Sequence, residues 1–175
     1  MHVGYWQFSF PAATIEIIDE RYRFATHTGR QAAFPPETGD GGGIPMRAIV
    51  VTDQAAGPAG MKLVELTEPQ AAINDVVVRV YAAGFVNTEL GWPSTWADRR
   101  DHDRTPSIPG HELAGVVTAL GYGTTGLSLG QRVFGLADWH RDGTLAEYVA
   151  MEARNLAPLP GDVDFSVGAR TLCPA

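Results

Sequence analysis

Cysteine is almost missing from this chain: Cys173 is the only one in 175 residues. A single thiol excludes an internal disulfide framework and any multi-cysteine zinc lobe. It fits a reducing compartment, so a cytoplasmic protein is expected. Long apolar runs are lacking too. No stretch approaches the roughly 20 residues that cross a bilayer as a helix, and no membrane partner is expected. Positive charge is in short supply, with 13 Lys and Arg against 20 Asp and Glu for a formal net charge of −7. That balance argues against a surface that tracks phosphates, so nucleic acid is not an expected partner. Solubility is enough to account for it. The opening MHVGYWQFSFPAAT carries a short aromatic patch without the basic start of a secretory signal.

What is present reads as a turn-rich globular protein, 45% hydrophobic and 19% charged, with 20 Gly and 12 Pro. The length suits one domain plus an extension. Residues 1–33 are weakly patterned, and TIEIIDERYRF is their one plausible strand or short helix. FPPETGDGGGIP then reads as a linker, stiffened by paired prolines and loosened by three glycines. Residues 1–45 are therefore expected to be an extension, with a domain over 46–168 and a divergent tail over 169–175. From Met46 short β-rich runs recur between turn signals, at 47–52, 62–68, 76–82, 113–120, 132–135 and 145–149. The run Val76-Val77-Val78-Arg79-Val80 suits a strand covered on both faces. Helices are scarce: 95–101 could form a short one, and Asp164 could cap another from Phe165. Many short strands favour a small, mostly antiparallel barrel, in which closure protects the edges.

Residues 106–135 carry the most specific signal, PSIPGHELAGVVTALGYGTTGLSLGQRVFG. Pro-Gly-His-Glu precedes a β-rich run, a glycine turn and Gly-Gln-Arg-Val. Upstream lies DVVVRVYAAGFVNTEL, and downstream DGTLAEYV. This ordered set resembles the catalytic domain of the medium-chain dehydrogenase/reductase superfamily, which holds the zinc alcohol dehydrogenases and the quinone oxidoreductases. The resemblance covers about two-thirds of the chain. It implies a mainly β fold, a GroES-like, partly open barrel with short helices. It also implies oxidoreductase chemistry with NADP or NAD, on a small carbonyl or quinone substrate.

Within that resemblance the turn Gly84-Phe85-Val86-Asn87-Thr88-Glu89 decides the branch. Val86 stands where the zinc branch places a metal-binding cysteine, and a valine side chain has no lone pair to give. His111 matches a zinc-branch ligand, and Cys173 falls roughly where a third would lie, in a tail that breaks the pattern. Catalytic zinc generally takes three protein ligands, so no metal site is expected. The zinc-independent quinone oxidoreductase branch fits better, although Asn87 lies one place later than that branch's usual asparagine. Thr88 matches the hydroxyl that relays a proton in the alcohol dehydrogenases. The expected catalytic residues are Asn87, Thr88, His111 and Glu112, with Trp92 and Trp96 lining the substrate cleft. Other readings stay open. His111 could hydrogen-bond within the barrel, and Glu112 could anchor backbone or pair with a base such as Arg132. The two tryptophans could pack one helix face, and the segment Asp138-Trp139-His140-Arg141-Asp142 could be a polar loop.

A dinucleotide loop needs Gly-x-Gly-x-x-Gly between a strand and a helix. GYGTTG at 121–126 has the glycines, but LSLGQRVFG after it reads as another strand. GDGGG at 39–43 has no strand before it. No cofactor-binding residue is assigned, and a nucleotide-binding Rossmann domain is expected to be absent from this chain. Because RTLCPA replaces the helix that leads into that domain in the family, a truncation near Ala169 is expected. The alternatives are a stand-alone GroES-like binding module or a non-functional fragment. Oligomeric state and substrate identity are left open.

Overall fold

The computed structural model describes residues 43–170, together with the backbone of three short strands nearer the N-terminus. Those strands, β1 (Tyr5–Ser9), β2 (Thr14–Ile18) and β3 (Phe24–Ala25), form an antiparallel sheet of their own. The first half of TIEIIDERYRF is thus a strand. The linker residues 34–42 and Cys173 lie outside the described residues.

The main body is a five-stranded sheet in the order β10-β8-β7-β6-β9, with a β4-β5 hairpin across its open side. The hairpin pairs β4 (Pro45–Val50) with β5 (Lys62–Thr67). The sheet strands are β6 (Asp75–Gly84), β7 (Glu112–Leu120), β8 (Arg132–Leu136), β9 (Tyr148–Glu152) and β10 (Leu156–Pro158). Every strand pair is antiparallel. Isolated bridges Ala48↔Ala146 and Val51↔Ser107 tie the hairpin to loops of the main sheet, and the barrel stays partly open. Two register shifts between β6 and β7, at Val77/Val78 and Val80/Ala82, supply the curl.

The sequence explains the layering. Val76, Val77, Val78 and Val80 of β6 are all buried, with Arg79 the exposed exception. Inside the barrel Val76, Val78 and Val80 meet Leu113, Val117, Val133, Val149 and Met151, and Met46, Ala48 and Val50 of the hairpin close over them. Burial of each such aliphatic side chain stabilises by about 1.5–3 kcal/mol. The sheet's outer face is covered by α2 (Phe165–Arg170), where Ala82, Ala114, Leu159 and Ala169 form a second cluster with Phe134 and Phe165.

Two expectations shift and a third holds. The strand expected at 145–149 begins at Tyr148, because 145–147 pair elsewhere: Leu145 N–H donates to Pro109 O and Glu147 N–H to Arg47 O. The helix expected at 95–101 is the single turn α1 (Pro93–Trp96), with proline at its start; Ala97 then bridges Asp103. The helix beginning at Phe165 forms, its first turn closed by Gly168 N–H on Asp164 O at 3.0 Å. Among the described residues no helix is long and apolar enough to cross a membrane.

Candidate active site

Where β6 ends, Phe85 is buried and the chain turns outward through Val86 into a 3₁₀ turn, Asn87–Gly91. Glu89 folds back over this turn. Val86 N–H donates to its Oε1 at 3.0 Å, the return half of a capping box. Its Oε2 accepts Gly110 N–H, also at 3.0 Å. One carboxyl therefore joins the turn carrying Asn87 and Thr88 to the segment that delivers His111. Gly110 has a φ of +89°, and an added Cβ would lie 2.8 Å from Thr144 Oγ1, so glycine is required there on both counts.

His111 is buried, only 4% exposed, and its Nε2 lies 3.6 Å from Glu89 Oε2. Its Nδ1 has no hydrogen-bond partner. The ring forms a three-ring cluster with two tryptophans. Trp92 stacks at 5.9 Å and 20°, Trp139 tilts against it at 4.4 Å, and the two indoles meet edge-on at 4.9 Å. Burial lowers the imidazole from 6.5 to about 4; the Arg104 cation adds to this and Asp138 opposes it. Burial raises Glu89 from 4.5 to about 7, against the two backbone N–H groups, and the like charge of Glu112 adds a little. Near neutral pH the pair is thus a neutral imidazole beside a carboxyl close to its midpoint, the range in which an acid can both give and take a proton.

The expected residues separate by location. Asn87 and Thr88 are exposed on the outer side of the 3₁₀ turn, without polar partners among the described residues. Trp92 packs on His111, whereas Trp96 joins the core and donates from Nε1 to Leu90 O at 2.8 Å. Of the two tryptophans, one faces the site and one packs the core. Glu112 opens β7, and its carboxylate lies over Gly84. Arg132 is not its partner. It faces Val116 in the β7-β8 register, donates to the carbonyls of Gly161 and Val163, and covers the Phe165 ring at 4.4 Å.

Two contributors were not anticipated. Glu89 closes the very motif that was read for its asparagine and threonine; an acid three residues after the turn start is a capping signal that could have revealed it. Trp139 lies in the segment read as a polar loop. That loop is anchored by an Arg99–Asp138 ion pair, by Arg104 donating to the carbonyls of Ser94 and Trp139, and by Arg141 on Asp75.

With this geometry in place, comparison with known proteins is decisive. The family pattern of the alcohol dehydrogenase GroES-like domain matches residues 72–161. The chain belongs to that family. An L-threonine 3-dehydrogenase of Ruegeria pomeroyi is 30% identical over 136 residues, which cover 63% of this chain and 39% of that protein. A quinone oxidoreductase of Pseudomonas syringae superposes with a TM-score of 0.61 at 26% identity, covering 71% of this chain and 36% of that one. The quinone oxidoreductase of Coxiella burnetii shares the fold with a TM-score of 0.64 at 23% identity, over 72% of this chain and 40% of that one. This GroES-like chain spans about two-fifths of the length of such relatives, which are oxidoreductases by name.

The family includes zinc enzymes, but the donors among the described residues do not make up a catalytic zinc site. Val86 offers none, and both Glu89 oxygens already accept backbone N–H groups. No group of three His, Cys, Asp or Glu side chains able to hold a metal occurs among the described residues. A dinucleotide has no cradle in the glycine turn either. Gly121 N–H and the Thr124 hydroxyl both donate to Asp75 O, and the chain runs on into β8 instead of a helix.

Proposed function

We propose that this GroES-like domain is the substrate-binding half of a zinc-independent oxidoreductase that reduces an α,β-unsaturated carbonyl or a quinone. The hydride comes from NADP(H) or NAD(H) held outside the described residues. The observation that carries this reading is the convergence of three family motifs on one corner, where Glu89 joins the Asn87-Thr88 turn to His111. Asn87 and Thr88 stand free to hydrogen-bond the substrate carbonyl. Trp92 and Trp139 exclude water and present apolar faces. Glu89 and His111 together hold the proton that balances a delivered hydride.

The test is to join residues 1–170 to the nucleotide-binding domain of the Pseudomonas syringae quinone oxidoreductase and follow NADPH and NADH oxidation with 2-cyclohexenone and 1,4-benzoquinone. Turnover that survives a strong chelator, falls at least tenfold in Thr88→Val and is missing from the 175-residue chain alone is expected. A folded fusion without turnover, turnover that the chelator abolishes, or turnover by the 175-residue chain would each overturn the proposal.

A further inference from the structure

Beside Trp139, with His111 outside its lining, a groove of about 580 Å³ opens between the end of β8 and the residues around β10. That volume lies within the range of small-molecule sites. Phe134 and Leu136, two apart on β8 and so on one face, line it together with Ala157, which the β10-β8 register sets opposite Phe134, and Trp139 completes the lining. One face of Trp139 is committed to the imidazole, yet the residue is still 42% exposed. Phe134 and Leu136 are half-buried, Phe134 packing from behind on the second cluster, so Trp139 gives the groove most of its exposed aromatic surface.

The charge of this groove is distinctive in a chain whose net charge is −7. Asp138, the acid on its lining, is already paired with Arg99 and accepts the His140 N–H; these hold its carboxyl below the usual range although burial pushes the other way. Neighbouring arginines are occupied: Arg104 on two backbone carbonyls, Arg132 on two more, Arg141 on Asp75. Glu152, two residues before Arg154, is taken up by Arg141 and Asn155. Arg154 is exposed, lines the groove and has no partner among the described residues. The groove therefore carries one uncompensated cation beside its aromatic lining. A guanidinium fork matches a carboxylate or sulfonate bidentately, and flat rings pack on flat rings.

We infer that this groove binds a flat, apolar ligand bearing one anionic group, an aromatic carboxylate being the simplest member of that class. The ring lies between Trp139 and Phe134, and the carboxylate meets Arg154. This binding needs no hydride chemistry, so it stands or falls apart from the oxidoreductase reading.

Titration of the 175-residue chain with 2-naphthoate and with its neutral counterpart 2-naphthamide, followed by amide NMR, tests it. Naphthoate is expected to bind about fivefold more tightly than naphthamide, the scale of a partly exposed ion pair, and to shift the amides of residues 134–139 and 154–157. Arg154→Gln should abolish the preference while leaving naphthamide unaffected. Trp139→Ala should weaken both ligands, and Trp139→Phe, which keeps a ring in place, should restore most of the loss. Equal affinities in the wild type, a preference that outlives Arg154→Gln, or no saturable binding of either compound would overturn the inference.

Discussion

Asp75, at the start of β6, and Glu89, just past its end, are hidden from water to the same degree, 3% and 4% exposed. They are provided for in opposite ways. Asp75 receives both arms of the Arg141 guanidinium, at 2.6 and 3.1 Å, with Glu152 adding a second acid to the cluster. Among the described residues Glu89 receives no cation, only two backbone N–H groups and a neutral imidazole. A buried carboxylate with its own arginine fastens a loop. One left to backbone dipoles keeps a proton near neutral pH, and it sits where the family motifs converge.

That contrast is most easily broken by stripping the arginine. Arg141→Ala leaves Asp75 buried without a counterion and should cost about 3–5 kcal/mol, whereas Glu89→Gln at pH 7 should cost only about 1 kcal/mol. Urea unfolding of the two variants measures both, and the reverse order would end the comparison.

The next effect is in pH. Glu89 rises from 4.5 to about 7, so the folded state holds its proton more tightly than the unfolded one. The stability this provides is complete below about pH 4.5 and lost as pH climbs through 7, on the order of 3 kcal/mol. His111 falls from 6.5 to about 4, so its contribution is complete above pH 6.5 and lost as pH falls through 4, again on the order of 3 kcal/mol. Between pH 4.5 and 6.5 the two slopes oppose each other, and the wild type should be nearly level. Glu89→Gln should uncover a stability that climbs from pH 4 to 6.5, and His111→Gln one that declines from pH 4.5 to 7. Unfolding midpoints across that range decide the matter; unchanged profiles in both variants would refute the pairing.

Smaller effects sharpen the picture. Trp139→Ala uncovers the imidazole, and diethyl pyrocarbonate should then modify His111 about tenfold faster, about 1.4 kcal/mol of protection, as read by peptide mass spectrometry. An unchanged rate would mean that the indole does not shield the site. Glu112→Gln should change stability by less than about 0.5 kcal/mol while easing Glu89 slightly downward, since the Glu112 charge is the least of the influences on it. An NMR titration of the Glu89 carboxyl would detect that shift.

Much of the fold was legible because its signals are local. The valine run of β6 and the turn glycines each act within a few residues, and the strands expected from such signals lie within a residue or two of those observed, apart from β9. Its onset moved because 145–147 bond to β4 and to the Pro109-Gly110 turn, contacts set by tertiary position. The site was half legible. Motif order singled out His111 and Trp92, which the fold brings together, but no spacing rule could bring Trp139, 28 positions after His111, onto its ring. Glu112 drew attention through the Gly-His-Glu motif it shares with His111, yet it opens β7 with its carboxylate over Gly84. Glu89, the acid that does face the histidine, was masked by its position at the end of a motif read for other residues.

The glycine turn after β7 has a consequence for handling the molecule. Gly123, Gly126 and Gly130 all take positive φ, and residues 122, 123, 125, 126 and 128–130 are exposed. Eight strand residues lie between this turn and Glu112, about 30 Å at the usual rise per residue. A fluorophore, a surface tether or an inserted peptide placed there would ride on the barrel at the end remote from the histidine. The stretch whose glycines imitate a nucleotide loop is the natural handle by which to hold the domain while its other end is probed.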